Sequence, residues 1–131
     1  MARVDARAAA RTWIQTWQRA WPAGDVDALA ALYVEGTPYR SHPFRDAERA
    51  RDYLSRAFGG EELVESWFGE PVVAGDRAGV EYWAVLREGD VETTIAGTSM
   101  LRFGDDGRVV EHRDYWDHTP GRREPPPGWG G

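Results

Sequence analysis

The stretch Leu101-Arg-Phe-Gly-Asp-Asp-Gly-Arg-Val-Val-Glu-His-Arg-Asp-Tyr-Trp116 decides how this chain reads. Gly104-Asp-Asp-Gly107 is a turn signal between two runs of alternating character, so the segment predicts a hairpin joining strand 91–103 to strand 108–116. In the second strand a period of two puts Val110, His112, Asp114 and Trp116 on one face and Glu111, Arg113, Tyr115 and Asp117 on the other. The second set suits solvent or a partner. The first mixes apolar side chains with one His and one Asp, as a pocket wall does.

Upstream, the same period predicts strands over 65–74 and 78–87, with turns at Gly75-Asp76-Arg77 and Glu88-Gly89-Asp90. Before Gly60 the period is helical. Ala10, Trp13, Ile14, Trp17 and Trp21 form one face of a helix over 5–21 that Pro22 and Gly24 stop, and Asp25 caps a second over 26–33. Asp46 caps a third that ends at Gly59-Gly60. Between the second and third, residues 37–45 carry two prolines and predict an edge strand or irregular segment. Residues 119–131, with four Pro and four Gly, predict an extended tail, with Trp129 pinned to a surface. Helices first and an antiparallel meander afterwards make an α+β domain over 1–118: a curved, cone-shaped antiparallel sheet packed against three N-terminal helices.

Composition narrows the chemistry. The 131 residues hold no Cys, and all 16 basic residues are Arg, with no Lys and no Asn. Thiol nucleophiles, cysteine zinc sites, lysine Schiff bases and N-glycosylation are therefore excluded, leaving oxygen and imidazole chemistry. A net charge of −6 with scattered arginines argues against nucleic-acid binding. No apolar run approaches membrane length and no h-region follows the charged start, so no membrane association and a cytoplasmic location are expected.

Three segments in order, Gly24-Asp25-Val-Asp-Ala-Leu-Ala-Ala-Leu-Tyr33, Tyr39-Arg-Ser-His-Pro43 and Leu101 to Trp116, resemble the nuclear transport factor 2-like superfamily and, within it, the SnoaL-like group. The resemblance implies a cone whose mouth holds a small apolar molecule, and a homodimer formed through the sheet face, with Tyr82, Leu86 and Tyr115 on its convex side. It does not by itself choose a reaction. Limonene epoxide hydrolases are similar here and carry a water-activating Asp at the position of Asp114, with Tyr and Asn at Tyr39 and Ser41. Their Arg and second, proton-donating Asp fall at Glu81 and Trp83, so the donor is missing. Against ketosteroid isomerases, the base falls at His42, the oxyanion-hole Tyr at Trp17 and the protonated Asp at Ser99, and only the pocket tryptophan, Trp116, persists.

A carboxylate in an apolar cone has its pKa raised by desolvation unless His112 or an Arg offsets it, which makes Asp114 the candidate proton-transfer group. Tyr39, His42 and His112 join it as catalytic candidates, with Ser41, Trp17, Glu81, Trp83, Ser99 and Trp116 as substrate contacts. The competing reading of Asp114 is a strand-end residue paired with an Arg. His118 is expected to be solvated. His112-Arg-Asp114 resembles half of a two-His-one-carboxylate iron site, but the third ligand would have to be His42 or His118, and neither has the required spacing. No metal or cofactor is expected. The function expected is a cofactor-independent isomerase, cyclase, dehydratase or hydrolase on a small apolar substrate. The alternative is a non-catalytic ligand-binding or dimerisation module.

Overall fold

The structure, a computed structural model, describes residues 4–58 and 60–131. Helix α1 spans Ala6–Ala23. Asp5 caps it by accepting the Ala8 N–H at 3.2 Å, and Gly24 closes it in the left-handed region with φ 62. The helix runs through Pro22, which removes only one backbone bond in its last turn. Helix α2 is shorter than the pattern suggests, Val26–Ala30, with Asp25 accepting the Ala28 N–H at 3.1 Å.

Strands β1 (Pro38–Arg40) and β2 (Glu48–Arg49) precede helix α3 (Ala50–Ala57). The cap expected at Asp46 is not used, because residues 48 and 49 pair with β1 and the helix starts only after them. The strand expected over 65–74 is two strands, β3 (Glu62–Phe68) and β4 (Val72–Ala74), broken at Gly69-Glu70-Pro71. Strands β5 (Arg77–Glu88), β6 (Val91–Phe103) and β7 (Val109–Pro120) complete the sheet. The last continues past Trp116 through Asp117 and His118 and takes in Thr119 and Pro120, which the sequence assigns to the tail.

The strand order is β2-β1-β7-β6-β5-β3, with β4 also on β5. The sheet is mixed rather than purely antiparallel, because β1 lies parallel to β7 with Tyr39 opposite His112. It is curved and unclosed, and the helices pack on one face. Trp13, Trp17, Leu29, Leu54, Val80, Leu101 and Phe103 are among the residues of the core. Among the described residues no helix is long and apolar enough to cross a membrane.

Register fixes which side chains face the helices. Val80, Ser99 and Asp114 form one cross-strand row, and Tyr82, Gly97 and Trp116 form the next. Trp67, Trp83, Ala96 and Asp117 form a row on the opposite, convex face. Tyr82 and Leu86 therefore point into the concave side, and Glu81 and Trp83 away from it, the reverse of the sequence reading. Both faces of β5 carry large apolar residues, so periodicity alone cannot set its phase.

Gly97 permits the curvature. A Cβ there would lie 2.1 Å from the Tyr115 carbonyl oxygen and 2.6 Å from the Trp116 Cβ. Any side chain at this position must therefore push β6 and β7 apart. Gly97→Ala is expected to destabilise the fold by about 1–3 kcal/mol or more, the usual cost of overpacking, read as a lowered midpoint in thermal or urea denaturation. An unchanged midpoint would show that the bend does not depend on this contact.

Candidate functional site

A cavity of about 570 Å³ opens between the helices and the concave face of the sheet. Its walls are aromatic: Trp13, Trp17 and Trp21 descend from α1, Phe58 follows α3, and Phe68, Tyr82 and Trp116 rise from the sheet. The three helix tryptophans thus serve both packing and cavity. Arg45, Arg56, Glu61, Glu88 and His118 add charge or polarity to the lining. His118 belongs to this lining, although its side chain is largely exposed.

A chain of hydrogen bonds runs through the base of the cavity. Trp13 Nε1 donates to the Tyr33 hydroxyl at 3.1 Å, which lies 3.0 Å from His112 Nδ1. His112 Nε2 lies 2.6 Å from Asp114 Oδ1, and the Ser99 hydroxyl donates to that same oxygen at 2.7 Å. His112 is 1% exposed and Asp114 7%. Donor chemistry sets the direction of the chain. An indole N–H can only donate, so Tyr33 accepts from Trp13 and its own proton goes to Nδ1. The imidazole proton then sits on Nε2 and points at Asp114. The pattern of partners thus suits the Nε2–H tautomer of His112.

Both donors use Oδ1. Oδ2 accepts none of these bonds, and Asp114 is part of the cavity lining. The competing reading of Asp114, paired with an arginine, is not what this geometry contains, since its partners are His112 and Ser99.

Phenols surround the carboxylate. Tyr39, 2% exposed, stacks on His112 at 3.8 Å on one side and on Tyr53 at 4.3 Å on the other. Tyr39, Tyr53 and Tyr82 line the cavity. Burial, and then the negative charge of Asp114, push the Tyr39 and Tyr82 phenols well above their ordinary value. Tyr53 is pushed up to about 12 by the same two causes, opposed by Arg45 and Arg56. Burial also raises Tyr33, opposed by the Trp13 hydrogen bond. All four are neutral hydrogen-bond donors at physiological pH.

Of the residues singled out in the sequence, Asp114, His112, Tyr39, Ser99, Trp17 and Trp116 come together here. Ser41 does not reach the cavity. It is buried, its carbonyl accepts the Trp116 Nε1 proton at 2.6 Å, and its hydroxyl accepts from Arg45. His42 also lies outside the lining, packed edge-on to Trp116 at 5.1 Å, with Nδ1 accepting the Phe44 N–H at 3.3 Å. Glu81 is exposed on the convex side, and Trp83 donates there to the Arg123 carbonyl at 2.9 Å. Sequence reading missed Tyr33, Tyr53 and Tyr82. Only Tyr33 had a signal, its place at the end of a motif already noted. Among the described residues no group of three or more His, Asp or Glu side chains could hold a metal ion.

A family model described as a SnoaL-like domain matches residues 11–112 of the chain. Many solved structures share the fold, among them the following three. A Mycobacterium tuberculosis epoxide hydrolase of the limonene-epoxide-hydrolase-like kind is 20% identical, with a TM-score of 0.70 over 86% of each chain. The epoxide hydrolase/cyclase-like enzyme SalBIII, of pyran ring formation in the polyether salinomycin, is 15% identical, with a TM-score of 0.69 over 82% of this chain and 89% of its own. A computationally designed 17-OHP binder is 17% identical, with a TM-score of 0.71 over 86% and 98%. No curated protein gives a significant match.

Two outcomes follow from the buried network. Tyr33→Phe leaves the Trp13 N–H and His112 Nδ1 without a partner in the core, so a loss of about 1–3 kcal/mol is expected in denaturant unfolding. A variant as stable as the parent would mean that water replaces the hydroxyl. The raised phenols set an alkaline limit. Below pH 10 both folded and unfolded chains keep these protons, and above it the unfolded chain loses them first, so stability falls as pH rises through about 12. Phenolate absorbance from the four buried tyrosines should therefore rise together with the loss of circular dichroism, rather than before it.

Proposed function

The chain belongs to the SnoaL-like domain family, and on that premise we propose that its cavity is the site of a cofactor-independent acid/base enzyme acting on a small, mostly apolar molecule. One observation carries the reading: a buried carboxylate, bound at Oδ1 by His112 and Ser99 and with Oδ2 free of both bonds, lines an aromatic-walled cavity of substrate size. Asp114 is the base and takes a proton at Oδ2. His112 positions it and offsets the cost of its burial, and Tyr33 keeps His112 in the tautomer that donates to it.

The phenols favour one class of reaction. A neutral phenol of raised pKa is a poor proton source but a good hydrogen-bond donor to a developing oxyanion. Tyr53 and Tyr82, with Tyr39, serve that role. The arrangement suits removal of a proton beside a carbonyl, the first step of an isomerisation and of the eliminations and cyclisations that begin alike. Epoxide opening is less favoured, because it needs an acid for the leaving oxygen and the position of the hydrolases' proton-donating Asp is held by Trp83, on the convex face.

The test uses a panel of small apolar ketones in deuterium oxide. Binding is read from tryptophan fluorescence and exchange at the α-carbon by NMR. Asp114→Asn is expected to slow exchange of any ketone the parent turns over by about 10²–10⁴-fold, the usual contribution of a general base, while affinity stays within a few-fold. Binding without exchange in the parent, or equal exchange in the variant, would replace this reading with that of a ligand-binding module.

A further inference from the structure

The loop between β1 and β2 brings a cation to the opening of the cavity. Two arginines, Arg45 and Arg56, belong to the lining, and their surroundings differ. Arg56 is paired with Glu48. Arg45 has no carboxylate within ion-pair distance among the described residues.

Its place is nevertheless fixed. The guanidinium carbon lies 5.5 Å from the centre of the Trp116 ring, within the range of a cation–π contact, and Nη1 donates to the Ser41 hydroxyl at 3.3 Å. Both supports are themselves held, since Ser41 is buried and its carbonyl accepts the Trp116 indole proton. The backbone is tied down as well. The Arg45 N–H donates to the His42 carbonyl at 3.1 Å, and the Arg45 carbonyl accepts from the Arg40 guanidinium. Nε and Nη2 are left without a partner among the described residues. Together they form the edge of the guanidinium that meets both oxygens of a carboxylate side-on.

The other charges of the lining leave this edge as the place for an anion. Glu61 precedes β3 and Glu88 ends β5, so both stand toward the side of the sheet away from β1, and Asp114 lies at the base. Trp116, which carries Arg45, follows Asp114 by two residues of β7, about 7 Å of strand. A molecule one aromatic ring long can span that interval with its body against the aromatic walls.

Resting on the acid/base reading of the cavity, we propose that Arg45 is a specificity residue and that the substrate is a ketone bearing a carboxylate at the far end of an otherwise apolar body. A carboxylate suits the site better than a phosphate, whose larger charge would meet only one lining arginine without an acidic partner.

Matched probes test this: para-acetylbenzoate and the longer para-acetylphenylpropionate, each against its uncharged primary amide. Dissociation constants are read by ligand-observed NMR titration of the parent and of Arg45→Gln, at low and at raised salt, with circular dichroism verifying the fold. The parent is expected to bind at least one acid about 10-fold more tightly than its amide, and raised salt to shrink that margin. Arg45→Gln is expected to remove the margin by weakening the acid while the amide stays within a few-fold. The proposal is overturned if no acid binds better than its amide, probes that fail to bind at millimolar concentration included. A salt-insensitive preference in the parent, or a variant that weakens acid and amide alike, overturns it too. Exchange at the α-carbon is a separate readout. Acid preference without exchange keeps the anion site and removes the enzyme, whereas exchange of the amides without acid preference does the reverse.

Discussion

A histidine and an aspartate buried side by side are the constraint on which the rest of this structure turns. Neither belongs in an apolar cone without partners, since an unpaired buried polar group costs on the order of 2–7 kcal/mol and an isolated charge more. The partners come from separate elements: Trp13 from α1, Tyr33 from the segment after α2, and Ser99 from β6. Each bond needs its donor within about 3 Å of its acceptor, so the network fixes how deeply α1 sits on the sheet and which face of β7 turns inward. Hydrophobic burial drives the assembly, and the polar chain selects one packing among those that burial would tolerate.

The same constraint shapes the cavity. His112 and Ser99 hold the carboxylate at Oδ1, so the network fixes where Asp114 sits among the aromatic walls. Strand curvature at Gly97 brings Trp116 round as one wall, and Ser41 steadies it from the rim by accepting its indole proton. Several residues that do not touch the cavity thus orient the ones that do.

The two faces of β5 pose a single packing problem solved in two ways. Tyr82 and Leu86 are sheltered by helices and left facing a cavity, while Trp83 and Val85 are sheltered by the chain's own last residues. A sheet with apolar residues on both sides needs two covers. Here the second is a strap with almost no side-chain bulk of its own, fixed by hydrogen bonds to its backbone and by Trp129.

Read alone, the chain determined most of its elements and their order, because hydrophobic period, caps and turn residues are local properties, while the superfamily entered through the resemblance of three quoted segments. It also placed Asp114 and His112 on one inward face, since only that phase of β7 puts a His and an Asp among apolar neighbours. Tertiary structure decided the rest. The inward phase of β5 was not legible because both of its faces are covered. Tyr33, Tyr53 and Tyr82 joined the site through distances that no spacing encodes, while Ser41, His42, Glu81 and Trp83 fell outside the cavity. Purely antiparallel pairing gave way to a parallel β1–β7 contact for the same reason. Which side of a strand meets which element, and at what range, depends on long-range packing, and a linear pattern carries only the short-range part of that information.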